Sequence, residues 1–300
     1  MNLLNSLDAS VVTAVVVTHN RPEELKMVIS ALVGQTTRPG RILIIDNASP
    51  VPATEVLADF QGVEVIRSEI NTGGAGGFAF ALQQALNAGG QWVWLMDDDA
   101  VPRPDALAVL LGAVPNLPND AGALCCTVYE FGRIATTHRR LFGPMTGVEK
   151  PLVGSSYSHE PQKIDTGSFV GFMVRTEAVH QVGLPDASFF IAYDDTEYSL
   201  RLGHAGWSIW LVPKSGIDHL RTLESKLSSS EFGFKHYYNI RNRLVVVRKY
   251  AHLKNLAGLI AVFYGAMIWL GSRRAIRLAA WGKFQQAIRD GWSGRLGKVS

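Results

Sequence analysis

Cysteine is almost missing from this 300-residue chain: Cys125 and Cys126 are the only two, and they are adjacent. Adjacent thiols provide no ordinary disulfide framework, which excludes a small stapled secreted fold and points to a reducing compartment. Long apolar runs are missing too. The most apolar stretch, Leu256–Leu270, counts 15 residues, short of the roughly 20 that cross a bilayer as a helix. The first ten residues hold neither a basic n-region nor a continuous apolar core, so no secretory leader is expected. Acid is scarce in one region alone. From Lys235 to Ser300 there are 13 Lys and Arg against one carboxylate, Asp290, while the preceding part carries 16 basic and 25 acidic residues. The overall charge of +3 is therefore a basic tail set against an acidic body. What the chain does have is apolar material, 47% hydrophobic against 18% charged residues. That is enough for one large α/β domain with an appendage, or for two domains.

Strand and helix signals alternate along the body. Val11–Val17 is a β-branched run, and Asn20-Arg21-Pro22-Glu23-Glu24 reads as a helix start, continued by Leu25, Val28, Ile29 and Leu32 at helical spacing. Arg41–Ile45, Val63–Ile66 and Trp92–Met96 read as further strands, with Trp92 and Trp94 expected in the core. A glycine-rich loop, Asn71–Gly77, precedes a helix expected over Phe78–Ala88. This rhythm predicts a mostly parallel sheet with helices on both faces, and ligands bound at the carboxyl ends of its strands. His19-Asn20, Asp46-Asn47, the glycine loop and Asp97–Asp99 all fall at that edge. From Cys125 to Asp165 the periodicity weakens, and this middle reads as irregular strands and loops facing a variable substrate. Order returns with a strand at Ser168–Val174 and a short helix at Thr176–Val182. A helix opening on Tyr193-Asp194-Asp195 and a strand at Trp207–Val212 follow.

The apolar run from Trp92 to Met96 ends on Asp97, Asp98 and Asp99. Three repelling carboxylates closing a buried strand are costly unless a cation offsets them. Alternation puts Asp97 and Asp99 on one face and Asp98 on the other. Oxygen ligands suit Mg²⁺ or Mn²⁺, ions that bridge protein to phosphate. A solvated acidic turn is the plain alternative. Gly74-Ala75-Gly76-Gly77-Phe78-Ala79 also fits the loose glycine pattern of a dinucleotide-binding turn, which would make the chain an NAD-dependent oxidoreductase. Against that, two strand units precede the glycines, and Glu69 to Thr72 separate them from their own strand.

Taken in order, five segments carry a resemblance: Val15–Pro22, Ile44–Ser49, Asn71–Phe78, Met96–Asp99 and Tyr193–Tyr198. With them the chain resembles family-2 glycosyltransferases of the GT-A, nucleotide-diphospho-sugar type. Within that family it is most similar to the bacterial galactofuranosyl- and rhamnosyltransferases that build cell-envelope polysaccharide. The resemblance implies a GT-A catalytic domain over residues 1–234, with a nucleotide-sugar half at about 1–125 and an acceptor half at about 126–234. It implies an inverting transfer from a UDP- or dTDP-linked sugar to a hydroxyl of a lipid-linked or polysaccharide acceptor, with Mn²⁺ or Mg²⁺ as cofactor. His219 would then join Asp97 and Asp99 at the metal. Thr18, Asn20, Arg21, Asp46, Asn71, Gly74, Asp97 and Asp98 would meet the donor. Asp195 is the first choice for the base that takes the acceptor proton, and Asp194 the second. For Asp46, capping a local turn is the alternative role, and for Arg21 a solvated helix start. A non-catalytic nucleotide-sugar-binding subunit would keep the donor residues without needing the second acidic pair.

The tail, residues 235–300, reads as a helical basic extension. Its apolar segment, its basic flank of Arg273, Arg274, Arg277 and Lys283, and its Trp269, Trp281 and Trp292 fit a helix lying on an anionic membrane surface. The alternative is a helix packed on the catalytic body with a solvated basic edge. No nucleic-acid recognition module accompanies it, so no nucleic-acid partner is expected. The expected location is the cytoplasm, peripherally on the inner face of the membrane. The serine-rich stretch Leu227–Ser230 reads either as a mobile lid over the donor or as a linker.

Overall fold

The computed structural model describes residues 9–158, 160–221, 232–271 and 280–299. The expected lid stretch and the Arg273, Arg274 and Arg277 flank lie outside them.

The central sheet begins with β1 (Val12–Thr18), β2 (Arg41–Asp46), β3 (Glu64–Arg67) and β4 (Trp92–Asp97). It continues through β5 (Ala100–Pro102), β6 (Ala121–Glu130), β7 (Arg133–Ile134), β10 (Gln162–Ile164), β12 (Phe172–Arg175) and β13 (Ser208–His219). A separate small sheet joins β8 (Arg139–Phe142), β9 (Glu149–Pro151) and β11 (Thr166–Gly167). The main order is β10-β13-β6-β12-β4-β1-β2-β3. Parallel pairing holds across β4-β1-β2-β3 and again between β6 and β13. Between these parts β12 enters antiparallel to both β4 and β6, which makes the sheet mixed.

Alternation along the strands divides the core in two. Val12, Ala14, Val16, Ile42, Ile44, Trp92, Trp94 and Met96 face one cluster, against α1 (Pro22–Val33), the short α2 (Ala53–Val56) and α4 (Ala106–Ala113). Val15, Val17, Leu43, Ile45, Val93 and Leu95 face the other, against α3 (Gly73–Asn87), α5 (Thr176–Val182) and α6 (Asp194–His204). A strand buried on both sides is apolar at every position, which is why these runs read so clearly. Trp92 and Trp94 are core residues, 2% and 0% exposed.

One boundary differs from expectation. The glycines of Asn71–Gly77 are not a loop before the helix but its first turns, since α3 starts at Gly73. The reason is close packing. A Cβ on Gly73, whose φ is +74°, would sit 2.0 Å from the Phe190 carbonyl oxygen, and one on Gly77 would sit 2.6 Å from Val17. Glycine weakens a helix, but here only glycine lets it approach so closely.

Among the described residues the tail holds three helices, α7 (Phe234–Tyr250), α8 (Lys254–Gly271) and α9 (Trp281–Ser293). Helix α7 is bonded into the body. Tyr250 Oη donates to Glu197 Oε1 at 2.6 Å and Lys249 Nζ lies 2.8 Å from the same oxygen. Arg241 and Asn242 are fully buried. Basic composition had suggested a solvated edge, yet part of that charge is interior.

Candidate functional site

The site forms where the sheet's carboxyl ends meet β13. Strand β4 stops at Asp97, and the chain turns through Asp98 and Asp99 into β5. The strand β13 runs longer than its apolar segment predicted and pairs with β5, setting His219 opposite Ala100. One ligand atom each of Asp97, Asp99 and His219 then falls within 4.8 Å of the others. Asp98 turns the other way. Its Oδ2 accepts from Thr18 Oγ1 at 2.8 Å and from the His19 amide at 3.1 Å, and Arg21 lies 3.3 Å from its Oδ1. Arg21 also contacts Asp99.

This donor set fits a divalent cation. Two carboxylates and an imidazole suit Mn²⁺, and carboxylates suit Mg²⁺. Asp99 Oδ1 is buried without a well-aligned hydrogen bond, its near neighbour being His219 Nε2 at 3.3 Å. Burial and repulsion from Asp99 raise the Asp97 pKa to about 7, partly offset by His219. Burial opposes charge on His219, but its contacts with Asp99 and Glu130 outweigh it and raise the ring to about 9. A cation would replace that proton and relieve the crowded carboxylates.

Glu130 and His138 belong to the same neighbourhood and were not expected. Glu130 Oε1 lies 2.9 Å from His219 Nδ1 and 3.1 Å from His138 Nε2, and His138 Nδ1 lies 2.7 Å from Ser168 Oγ. Hydrogen bonds from His138 and then His219 hold the Glu130 carboxyl far below its ordinary range. Burial lowers His138 to about 4. Glu130 ends the apolar run of β6 much as Asp97 ends β4, so a strand-end acid was the available signal. His138 had none, lying in the irregular middle.

Beside these residues lies a cavity of about 160 Å³, lined by His138, Arg140, Ser168, Tyr193, Asp195 and Thr196, and by Asn239 of α7. Asp195 Oδ1 accepts from the Thr196 amide at 2.6 Å and from its hydroxyl at 3.3 Å. Burial raises the Asp195 pKa, against the Thr196 amide and Arg140. Asp194 is raised further by burial and by repulsion from Asp195 and Asp97. The two acidic groups therefore feel one another across one site.

The remaining expected donor residues sit around the same edge. Asn20, at φ 58°, donates its amide to Ser49 Oγ at 3.0 Å. Asn71 Oδ1 accepts from the Gly73 amide at 2.8 Å and so shapes the start of α3. Gly74 faces open space at its missing Cβ. Asp46 is wholly buried and engaged within the chain. Its oxygens accept from the amides of Ser49 and Ala53, at 2.8 and 3.0 Å, and from Arg67 at 2.8 Å. That is the turn-capping arrangement, with no carboxylate surface turned to the site. Asn47, next to it, ties Asn71, Thr72 and Gly73 together.

Comparison with known proteins matches this architecture. The profile of Glycosyl transferase family 2 covers residues 13–183, which includes Asp97–Asp99 and stops short of Asp194, Asp195 and His219. The chain is 34% identical over 201 residues to galactofuranosyltransferase GlfT1 of Mycolicibacterium smegmatis, covering 65% of this chain and 66% of that protein. It therefore spans just under two thirds of that relative. It is 25% identical over 233 residues to an N-acetylglucosaminyl-diphospho-decaprenol L-rhamnosyltransferase of Mycobacterium tuberculosis, covering 70% and 76%. The mannosyltransferase PcManGT from Pyrobaculum calidifontis, solved with GDP-Man and Mn²⁺, superposes with a TM-score of 0.58 at 14% identity, over 95% of this chain and 86% of that one. On these grounds the chain belongs to glycosyl transferase family 2 and has a GT-A-like fold.

Proposed function

We propose that the chain is an inverting, metal-dependent transferase that moves galactofuranose or rhamnose from a UDP- or dTDP-linked donor to a hydroxyl of a lipid-linked or polysaccharide acceptor. The observation that carries this reading is the Asp97–Asp99–His219 cluster beside a cavity that Asp195 and His138 line, His138 being joined to His219 through Glu130. The names of the galactofuranosyl- and rhamnosyltransferase relatives support the choice of sugar.

Charge develops on the departing diphosphate as the glycosidic bond breaks. Asp97, Asp99 and His219 would hold a divalent cation, which would supply Lewis-acid neutralisation of that charge. Thr18 and the His19 amide fix Asp98, and Arg21 adds positive charge at the same edge. On the acceptor side a sugar hydroxyl is too weak an acid to ionise unaided, so its proton goes to a carboxylate as the new bond forms. Asp195 suits this role because Thr196 occupies one of its oxygens and leaves the other for the hydroxyl. Asp194, nearly fully buried, is pushed well above the ordinary carboxylate range by burial and by Asp195. A single displacement of this kind inverts the anomeric configuration.

The reading extends to a membrane surface. No helix among the described residues is long and apolar enough to cross a membrane. Helix α8, however, packs Ala257 and Ala261 inward and turns Leu256, Leu259, Phe263, Met267 and Leu270 outward, with Phe263 68% exposed. Lys254 of α8 and Lys283 and Arg289 of α9 are exposed as well. An exposed apolar stripe in a tail with exposed basic residues suits the anionic inner face of a membrane, where lipid-linked acceptors reside.

The test is nucleoside-diphosphate release with Mn²⁺ across a panel of UDP- and dTDP-sugars, with a membrane-lipid extract as acceptor. Acceptor-dependent release from one donor, with inversion at the anomeric carbon by NMR, is the expected result. Retention of configuration, or donor binding without any release, would overturn it, the second in favour of a binding subunit.

A further inference from the structure

The loop that delivers Asp194 and Asp195 is strained. Phe190, Ala192 and Tyr193 all have positive φ, at 66°, 67° and 66°, a region that residues with a Cβ rarely occupy. Tyr193 immediately precedes Asp194. Such a run persists only where its surroundings hold it.

What holds it is α7. Asn242 Nδ2 lies 3.1 Å from the Phe189 carbonyl oxygen, 2.9 Å from that of Ile191 and 2.8 Å from that of Ala192. Arg241 Nη2 donates to the Phe189 carbonyl at 3.0 Å, while its Nε donates to Asn242 Oδ1 at 2.7 Å and so orients the amide. Both side chains are fully buried. An amide nitrogen has two hydrogens, and three carbonyls converge on this one. On its other side the loop meets the start of α3, where the Ala75 amide donates to the Phe190 carbonyl at 3.1 Å. The strained turn is therefore gripped between the donor-side helix and the tail.

We propose that Arg241 and Asn242 are positioning residues for the transfer: by binding the carbonyls of Phe189, Ile191 and Ala192 they fix the loop that aims Asp195 into the cavity. Asn239, one turn earlier on α7, lines that cavity directly. On this account the basic tail is part of the transferase machinery rather than a separate module. The inference rests on the reading of Asp195 as the base.

The full chain carrying Asn242→Ala tests it in two ways. Hydrogen exchange should quicken about tenfold or more over residues 187–197 and stay unchanged over β1 and β4. Turnover should fall about 10²-fold, the scale of a displaced reacting group, with Mn²⁺ affinity and donor KM preserved. Adding Ala192→Gly, which accepts positive φ without strain, should recover part of kcat in the Asn242→Ala background. Asn242→Ser keeps one donor and should fall between wild type and Asn242→Ala; it serves as the readout if the alanine variant does not fold. Unchanged exchange over residues 187–197 would overturn the proposal, as would a kcat loss that Ala192→Gly fails to recover. If the wild type turns over no donor, the exchange arm still decides the positioning role, and only the base assignment falls.

Discussion

His219 directs Nδ1 to Glu130, 2.9 Å away, while its Nε2 faces Asp99 at 3.3 Å. A carboxylate behind a histidine fixes the tautomer that leaves the other nitrogen free for a cation. Removing that carboxylate should cost metal affinity without removing a ligand. Glu130→Gln is expected to weaken Mn²⁺ binding about 10- to 100-fold, measured by EPR titration of free Mn²⁺. Unchanged affinity would mean that Glu130 serves only His138.

Metal binding should also depend on pH in a defined direction. The metal-free His219 ring is raised to about 9 and Asp97 to about 7, so protons compete for both ligands at neutral pH. Mn²⁺ affinity is expected to rise with pH, about tenfold per unit between 7 and 9 and more steeply below 7. His219→Ala should bind more weakly and lose the dependence above pH 7. A flat profile for the wild type across that window would count against the ligand set.

Glu197 pairs with Arg201 within α6 and ties that helix to the tail through Lys249 and Tyr250. Burial opposes its charge, but these partners win and lower its pKa. A lowered carboxyl stabilises the fold above its unfolded pKa and loses that contribution as pH falls through the folded value. Glu197→Gln should therefore lower stability by about 3–5 kcal/mol at pH 7, and the gap to wild type should close in acid. Thermal unfolding across pH 3–8 reads both.

The outward stripe of α8 makes a separate prediction. Phe263→Glu with Met267→Glu should abolish flotation with anionic vesicles and leave donor hydrolysis in solution unaffected. Both residues are exposed, so the fold is expected to tolerate the change. Vesicle binding that survives would move the docking surface elsewhere.

The sequence made the doubly buried strands readable because every residue in Val12–Val17 and Trp92–Met96 is apolar or small. The family resemblance, not spacing, set His219 beside Asp97 and Asp99, and the fold places ligand atoms of the three within 4.8 Å of one another. Glu130 carried a strand-end signal, but its pairing with His219 and the contacts of Asn242 depend on strand order and on the return of α7, which spacing does not encode. The start of α3 was misplaced because glycine ordinarily argues against helix, and the contacts with Phe190 and Val17 that demand it are remote in sequence. Composition misled at the tail in a similar way. A count of charges cannot distinguish exposed Lys283 from Arg241, whose guanidinium is buried among carbonyls.

The central claim is a division of labour, with Asp97 on the metal and Asp195 on the acceptor proton. Parallel measurement of Mn²⁺-dependent donor binding and acceptor-dependent nucleoside-diphosphate release, for wild type, Asp97→Ala and Asp195→Asn, tests it most directly. The account predicts that Asp97→Ala loses both, while Asp195→Asn binds donor normally and loses release by about 10²-fold or more. Normal release by Asp195→Asn would contradict it.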